Sequence, residues 1–195
     1  EPYRSAAREA VLQAGFLPVM MDYFAAQSEK RPYDFCMEKV APCDVLIVIV
    51  GHRYGWTPPD QPGRKKDKSI TWLECEHALA KKQKAEVMAF VVDDKPDFKW
   101  PLELHESYRS MQATEAGNLT PELSNEIARN VTSLKQFKQW LKELGTRRTF
   151  RSPQELKGEV LAALYKWREG HPEFWDTVAP PQRDPEKYLQ WLRTQ

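Results

Sequence analysis

The stretch DVLIVIVG, residues 44–51, decides the fold. Six consecutive apolar residues, five of them β-branched, run without the polar alternation of a strand that keeps one wet face. An unbroken run of this kind suits a parallel strand covered on both sides. Working outward, YDFCMEKVA (33–41) reads as a short helix with Phe35, Met37 and Val40 on its apolar side. VMAFVV (87–92) repeats the buried-strand pattern and ends in Asp93 and Asp94. Between the two strands lie a long loop, HRYGWTPPDQPGRKKDK (52–68), and a helix over 71–84. Loops beyond about 12–15 residues in a compact domain are usually functional or disordered.

Toward the N-terminus, residues 2–14 carry a helix pattern with Ala6, Ala10, Val11 and Ala14 on one side and Gly15 as the stop. FLPVMMDYF (16–24) then reads as a strand. The alternation of helices and strands implies right-handed crossovers and an α/β fold with a doubly wound parallel sheet. Such sheets bind ligands beyond the carboxyl ends of their strands. Here that edge is lined by Asp22, by Gly51 to Trp56 and by Asp93.

Beyond the α/β core at 1–94, residues 95–120 are weakly patterned and read as an irregular insertion. Residues 121–170 read as a helical completion of the domain: one long helix or a pair, then a helix opened by Ser152, Pro153 and Glu155. From 171 to 195 a proline-broken linker leads into a last helix, PEKYLQWLRTQ.

Composition narrows the function classes. The 195 residues are 41% apolar, enough for one core, and 29 basic against 28 acidic residues announce no polyanionic partner. Neither a direct nucleic-acid partner nor a membrane one is expected, the longest apolar run being far short of the ~20 residues of a span. Three cysteines fit neither a disulfide framework nor a paired zinc site, which favours a cytoplasmic location and no structural metal. The chain opens on EPYRSAAREAVLQAG, already inside a helical pattern, as a fragment of a longer protein would.

The helix SITWLECEHAL (69–79) carries two glutamates. Thr71 and Glu74 have capping-box spacing, and Glu74 falls on the side of His77 and Lys81, so capping and solvent account for it. Glu76 falls about 40° from Trp72 on a helical wheel, between Leu79 and Leu73, in the middle of the apolar arc. A carboxylate there is costly unless it pairs with a cation such as Arg53 or faces a wet cleft. In the cleft reading its neighbours are Trp72 and the GHRYGW loop. His52 is a candidate for proton transfer, Cys75 reads as a small core residue, and the RKKDK run (64–68) as a solvated loop tip.

These motifs resemble a TIR-like domain of unknown function found at the N-terminus of STAND-type (NACHT/NB-ARC-like) ATPases. The resemblance rests on REAV (8–11), GFLPVMMDYF (15–24), Cys36 with Val40, CDVLIVIVGHRYGW (43–56), Ser69 with Thr71, the paired glutamates and VMAFVV. LKQFKQWL (134–141) and TFRSPQELKGEV (149–160) extend it to about residue 168. Two departures stand out. The strand that normally opens the family lies ahead of this chain's first residue, so a first strand is missing here, and the usual Gly-Lys-Pro is replaced by KAE at 84–86.

Related TIR domains hydrolyse NAD through a glutamate four residues after a tryptophan, which in this chain is Glu76 after Trp72. The resemblance implies Glu76 as catalytic carboxylate, Trp72 and Tyr54 stacking on the nucleotide, Arg53 meeting phosphate, and Gly51, Trp56 and Ser69 completing the site. NAD, or a related nucleotide, would be substrate rather than cofactor, with no metal. It further implies self-association through the missing ATPase or repeat regions. Two alternatives share these residues: a non-catalytic interaction and oligomerisation module, and a nucleoside N-glycoside transferase using the carboxylate as nucleophile.

Overall fold

The computed structural model describes residues 2–20, 31–59, 61, 68–80, 85–94, 100–145 and 147–176. Strands β1 (Val45–Val50), β2 (Glu86–Val92) and β3 (Arg148–Phe150) form a parallel sheet in that order. Val45 lies opposite Glu86, Val50 opposite Val91, and Val92 opposite Phe150. Parallel neighbours need crossovers. Helix α3 (Ile70–Ala80) lies between β1 and β2, and α5 (Pro121–Leu144) between β2 and β3.

The sheet is covered on both faces, and β2 shows why its sequence is apolar throughout. Met88, Phe90 and Val92 point into a core shared with α1 (Pro2–Gln13) and α6 (Pro153–Gly170), through Ala7, Ala10, Val11, Leu156, Val160, Leu164 and Trp167. Ala89 and Val91, one residue out of phase, point into a second core with Cys75 of α3 and with Leu134, Phe137 and Leu141 of α5. Helix α2 (Pro32–Val40) joins the second face through Val40, which packs with Ala78 and Ala85. The chain is therefore a doubly wound α/β domain.

Local chemistry sets the element ends. Gly15, at φ 83°, closes α1 in a Schellman arrangement: Phe16 N–H donates to Val11 O at 3.0 Å and Gly15 N–H to Leu12 O at 3.0 Å. Thr120 Oγ1 caps α5, accepting from Leu123 N–H at 3.2 Å, ahead of Pro121. Ser152 caps α6 as its sequence predicts, accepting from Glu155 N–H at 3.1 Å, while Glu155 reaches back to Arg151 N–H at 2.7 Å.

Several expectations need revision. Residues 16–20 form no strand, consistent with Pro18 lacking a donor for a ladder, and 21–24 fall outside the described residues. Within 95–120 there is more order than the pattern shows: a 3-10 turn at Leu102–Leu104 and a helix α4 (Tyr108–Glu115). Of the two options for 121–144, the structure takes the single long helix. The short β3 has no signal a three-residue strand could give. A one-turn helix, α7 (Glu173–Asp176), follows α6, and PEKYLQWLRTQ lies outside the described residues. Among the described residues no helix is long and apolar enough to cross a membrane.

Candidate functional site

The chain leaving β1 is tied to the start of α3 by its own aromatic residues. Tyr54, 4% exposed, accepts the Ser69 N–H on its hydroxyl at 3.0 Å, and Trp56 O accepts the Ile70 N–H at 2.9 Å. Ser69 occupies the N-cap position: its carbonyl accepts from Leu73 N–H, it is fully buried, and its Oγ has no hydrogen-bond partner among the described residues. Tyr54 and Ser69 therefore clamp the loop to the helix, and neither presents a free face to a nucleotide. Gly55, at φ 86°, supplies the left-handed turn between the two aromatics. Gly51 is half-buried, and a Cβ added to it would meet nothing within 4 Å, so no close backbone approach demands a glycine there.

Arg53 is exposed and donates to Glu103 O at 2.9 Å. Asp22, expected on the same edge of the sheet, lies outside the described residues. The Trp56 side chain is 48% exposed, with its backbone carrying the clamp.

Helix α3 has a different roll from the one its hydrophobicity implies. Its fully buried residues are Cys75 and Ala78, both small, which lets the helix approach the sheet along that line. This places Glu76 about 100° around from Cys75, on the flank toward solvent, and brings Glu74 inward beside Ala78. The capping box is not formed: the helix starts at Ile70, one residue before Thr71. Glu74 instead faces the Cys36 thiol of α2, and burial raises its carboxyl above the ordinary range. Burial, and then the Glu74 carboxylate, push the Cys36 thiol up to about 11. Cys75, buried as expected of a small core residue, is likewise raised by burial.

Glu76 is 40% exposed at its side chain and pairs with the Lys68 ammonium. The run 64–68 reads as a solvated tip, but its last member, Lys68, is only 14% exposed. Its ammonium lies 5.1 Å from the centroid of the Trp72 ring. Trp72 in turn stacks on Phe137 at 5.1 Å and tilts against Trp140 at 5.7 Å, so it belongs to an aromatic cluster with α5. The structure thus brings Glu76, Trp72 and Lys68 together beside the N-terminal half of α3. Arg53 reaches the Glu103 carbonyl instead.

A second polar cluster sits at the carboxyl ends of β1 and β2. His52, its side chain 7% exposed, places Nδ1 3.6 Å from Asp94 Oδ1, while Lys138 of α5 binds Asp94 Oδ2 at 2.7 Å. Its ring is tilted against His105 at 4.1 Å and against Trp100 at 5.2 Å. Burial, followed by His105 and Lys138, lowers the His52 pKa to about 4 against the opposing pull of Asp94. Beside it the buried Asp93 carboxylate meets Arg151 at 2.8 and 2.7 Å. Glu106, 4% exposed, accepts from Arg109 and Asn130 and donates its backbone N–H to His52 O. Lys68, Glu74 and the Asp93–Arg151 pair escape the sequence reading because each owes its role to a partner from another element. Among the described residues no group of three or more His, Cys, Asp and Glu is disposed to hold a metal ion.

No curated protein and no solved structure matches the chain significantly. Residues 1–165, most of its length, match the family described as a domain of unknown function, DUF4062, and the chain belongs to that family.

Proposed function

We propose that this domain is a TIR-like effector of a STAND-type protein that hydrolyses the nicotinamide–ribose bond of NAD when assembly brings copies together, with Glu76 as its carboxylate. The observation that carries the reading is the pairing on α3: a carboxylate and an indole side by side, holding a positive charge between them. Nicotinamide leaves with the electron pair of the C–N bond and becomes neutral, while positive charge develops on the ribosyl carbon and ring oxygen. A fixed carboxylate beside that centre stabilises the charge and can take the proton of the attacking water. Glu76, paired with Lys68 and reaching solvent, suits this role. Glu74 suits it less, since its burial favours the neutral acid.

The test is nicotinamide release from NAD by the assembled full-length protein. Glu76→Gln is expected to lower the rate by about 10²–10³, the usual loss for one charge-stabilising group, and Glu74→Gln to leave most of it. Release that survives Glu76→Gln, or that only Glu74→Gln abolishes in a folded protein, sinks the assignment. A non-catalytic assembly module is the second reading, favoured by the packing of Trp72 on Phe137, which gives the tryptophan a structural role of its own. It predicts oligomers with no NAD loss in any variant.

A further inference from the structure

Lysines are rarely buried, yet Lys68 is 14% exposed and directed along α3 instead of into water. It is fixed from behind. Gln61 Nε2 donates to its carbonyl at 2.7 Å, and the next residue's N–H is held by the Tyr54 hydroxyl. From this anchored backbone the ammonium reaches both the Glu76 carboxylate and the Trp72 ring. A carboxylate next to an indole face is the chemistry by which proteins take organic cations, tryptophan being the best of the aromatic partners. The geometry points to Trp72 and Glu76 as a site for a flat organic cation of the pyridinium class, with Lys68 as its resident occupant and internal competitor.

The identity of the cation as the nicotinamide ring of NAD rests on the function proposed above; the cation site itself does not. One carboxylate and one ring cannot hold the ammonium and a pyridinium at once, so a ligand must displace Lys68. Displacement is inexpensive although Lys68 is only 14% exposed, because Glu76, at 40%, stays hydrated when the ammonium swings out, and an ion pair that reaches solvent contributes a factor of only about 1.4 to 5. The cation–π contact adds a factor of about 2 to 5. Lys68 therefore opposes binding, contrary to the usual expectation that a lysine near a nucleotide site assists it.

The experiment is a calorimetric titration of the chain with 1-methylnicotinamide, methylated on the ring nitrogen and so a permanent pyridinium, and with neutral nicotinamide as control. Lys68→Ala is expected to tighten the pyridinium by about 3- to 25-fold, the product of the two factors, and to leave neutral nicotinamide unchanged. Lys68→Arg, which keeps an occupant, should bind as the natural chain does, and Lys68→Gln serves if the alanine variant misfolds. Unchanged or weaker pyridinium binding in the Ala and Gln variants overturns the inference, as does equal tightening of the neutral ring or no measurable pyridinium binding by any variant. The titration involves no turnover. A failure of NAD hydrolysis in the Glu76 test therefore removes the proposed reaction and leaves the cation site to stand or fall on this result.

Discussion

Cutting the Asp93–Arg151 pair from either side should give unequal costs, and the inequality follows from exposure. The pair joins the end of β2 to the residue just after β3, with two contacts at 2.8 and 2.7 Å. The Asp93 side chain is 8% exposed and that of Arg151 34%. Arg151→Ala leaves a carboxylate that water barely reaches, and stranding a buried charge costs about 3–5 kcal/mol. Asp93→Ala leaves a guanidinium already a third in water, which can rehydrate, so its cost is the lost charged hydrogen bonds, about 1.5–3 kcal/mol. The double variant should cost less than the sum by about 1–3 kcal/mol, because either single deletion already breaks the pair. Urea unfolding of the four proteins measures all three quantities. For a domain of this size each kcal/mol shifts Tm by about 2–4 °C, so the arginine variant should melt about 6–20 °C early. Equal costs, a larger cost for Asp93→Ala, or strict additivity would refute the assignment of Asp93 as the desolvated partner.

Two further outcomes concern pH. Burial raises the Glu74 carboxyl, so the folded chain keeps that proton after the unfolded chain has lost it, and this group's stabilising contribution falls as pH rises above the ordinary carboxylate range. Urea midpoints measured from about pH 4 to about pH 7 should therefore decline in the natural chain relative to Glu74→Gln; parallel curves would show that Glu74 is not desolvated. For His52 the sign is opposite. With its folded pKa lowered from near 6.5 to about 4, the unfolded chain takes the proton first, and stability present above 6.5 is lost as pH falls toward 4. Its ring protons should titrate with a midpoint near pH 4 by NMR, and a midpoint near 6.5 would contradict the buried placement.

What could be read from the sequence was what local chemistry determines. The run VLIVIV needs cover on both faces wherever it is placed, Gly15 ends α1 by its own backbone freedom, and Ser152 with Glu155 caps α6 within one turn. The roll of α3 was not legible. A wheel weighted by hydrophobicity centres the buried arc between Trp72 and Glu76, whereas closest approach to the sheet is governed by the smallest side chains, Cys75 and Ala78. That rotation exchanges the settings expected for the two glutamates, with Glu74 drawn inward and Glu76 on the wet flank. Lys68 was obscured for a related reason: a charge run is solvated by default, and only Glu76 and Trp72, supplied by the next helix, draw one member inward. Asp93 and Arg151 stand 58 residues apart, beyond any periodicity argument.

The packing of α1 on α6 sets the order in which this domain can be completed during synthesis. Glu9 and Lys157, joined at 2.8 Å, are 148 residues apart in the chain. At about 5–20 residues per second, the ribosome delivers α6 some 7–30 s after α1. Throughout that interval Ala7, Ala10 and Val11 lack the Leu156, Val160 and Leu164 that cover them in the finished domain. Helix α1 is thus sealed only after α6 has been made, and in the nascent chain it is a natural target for chaperones until then.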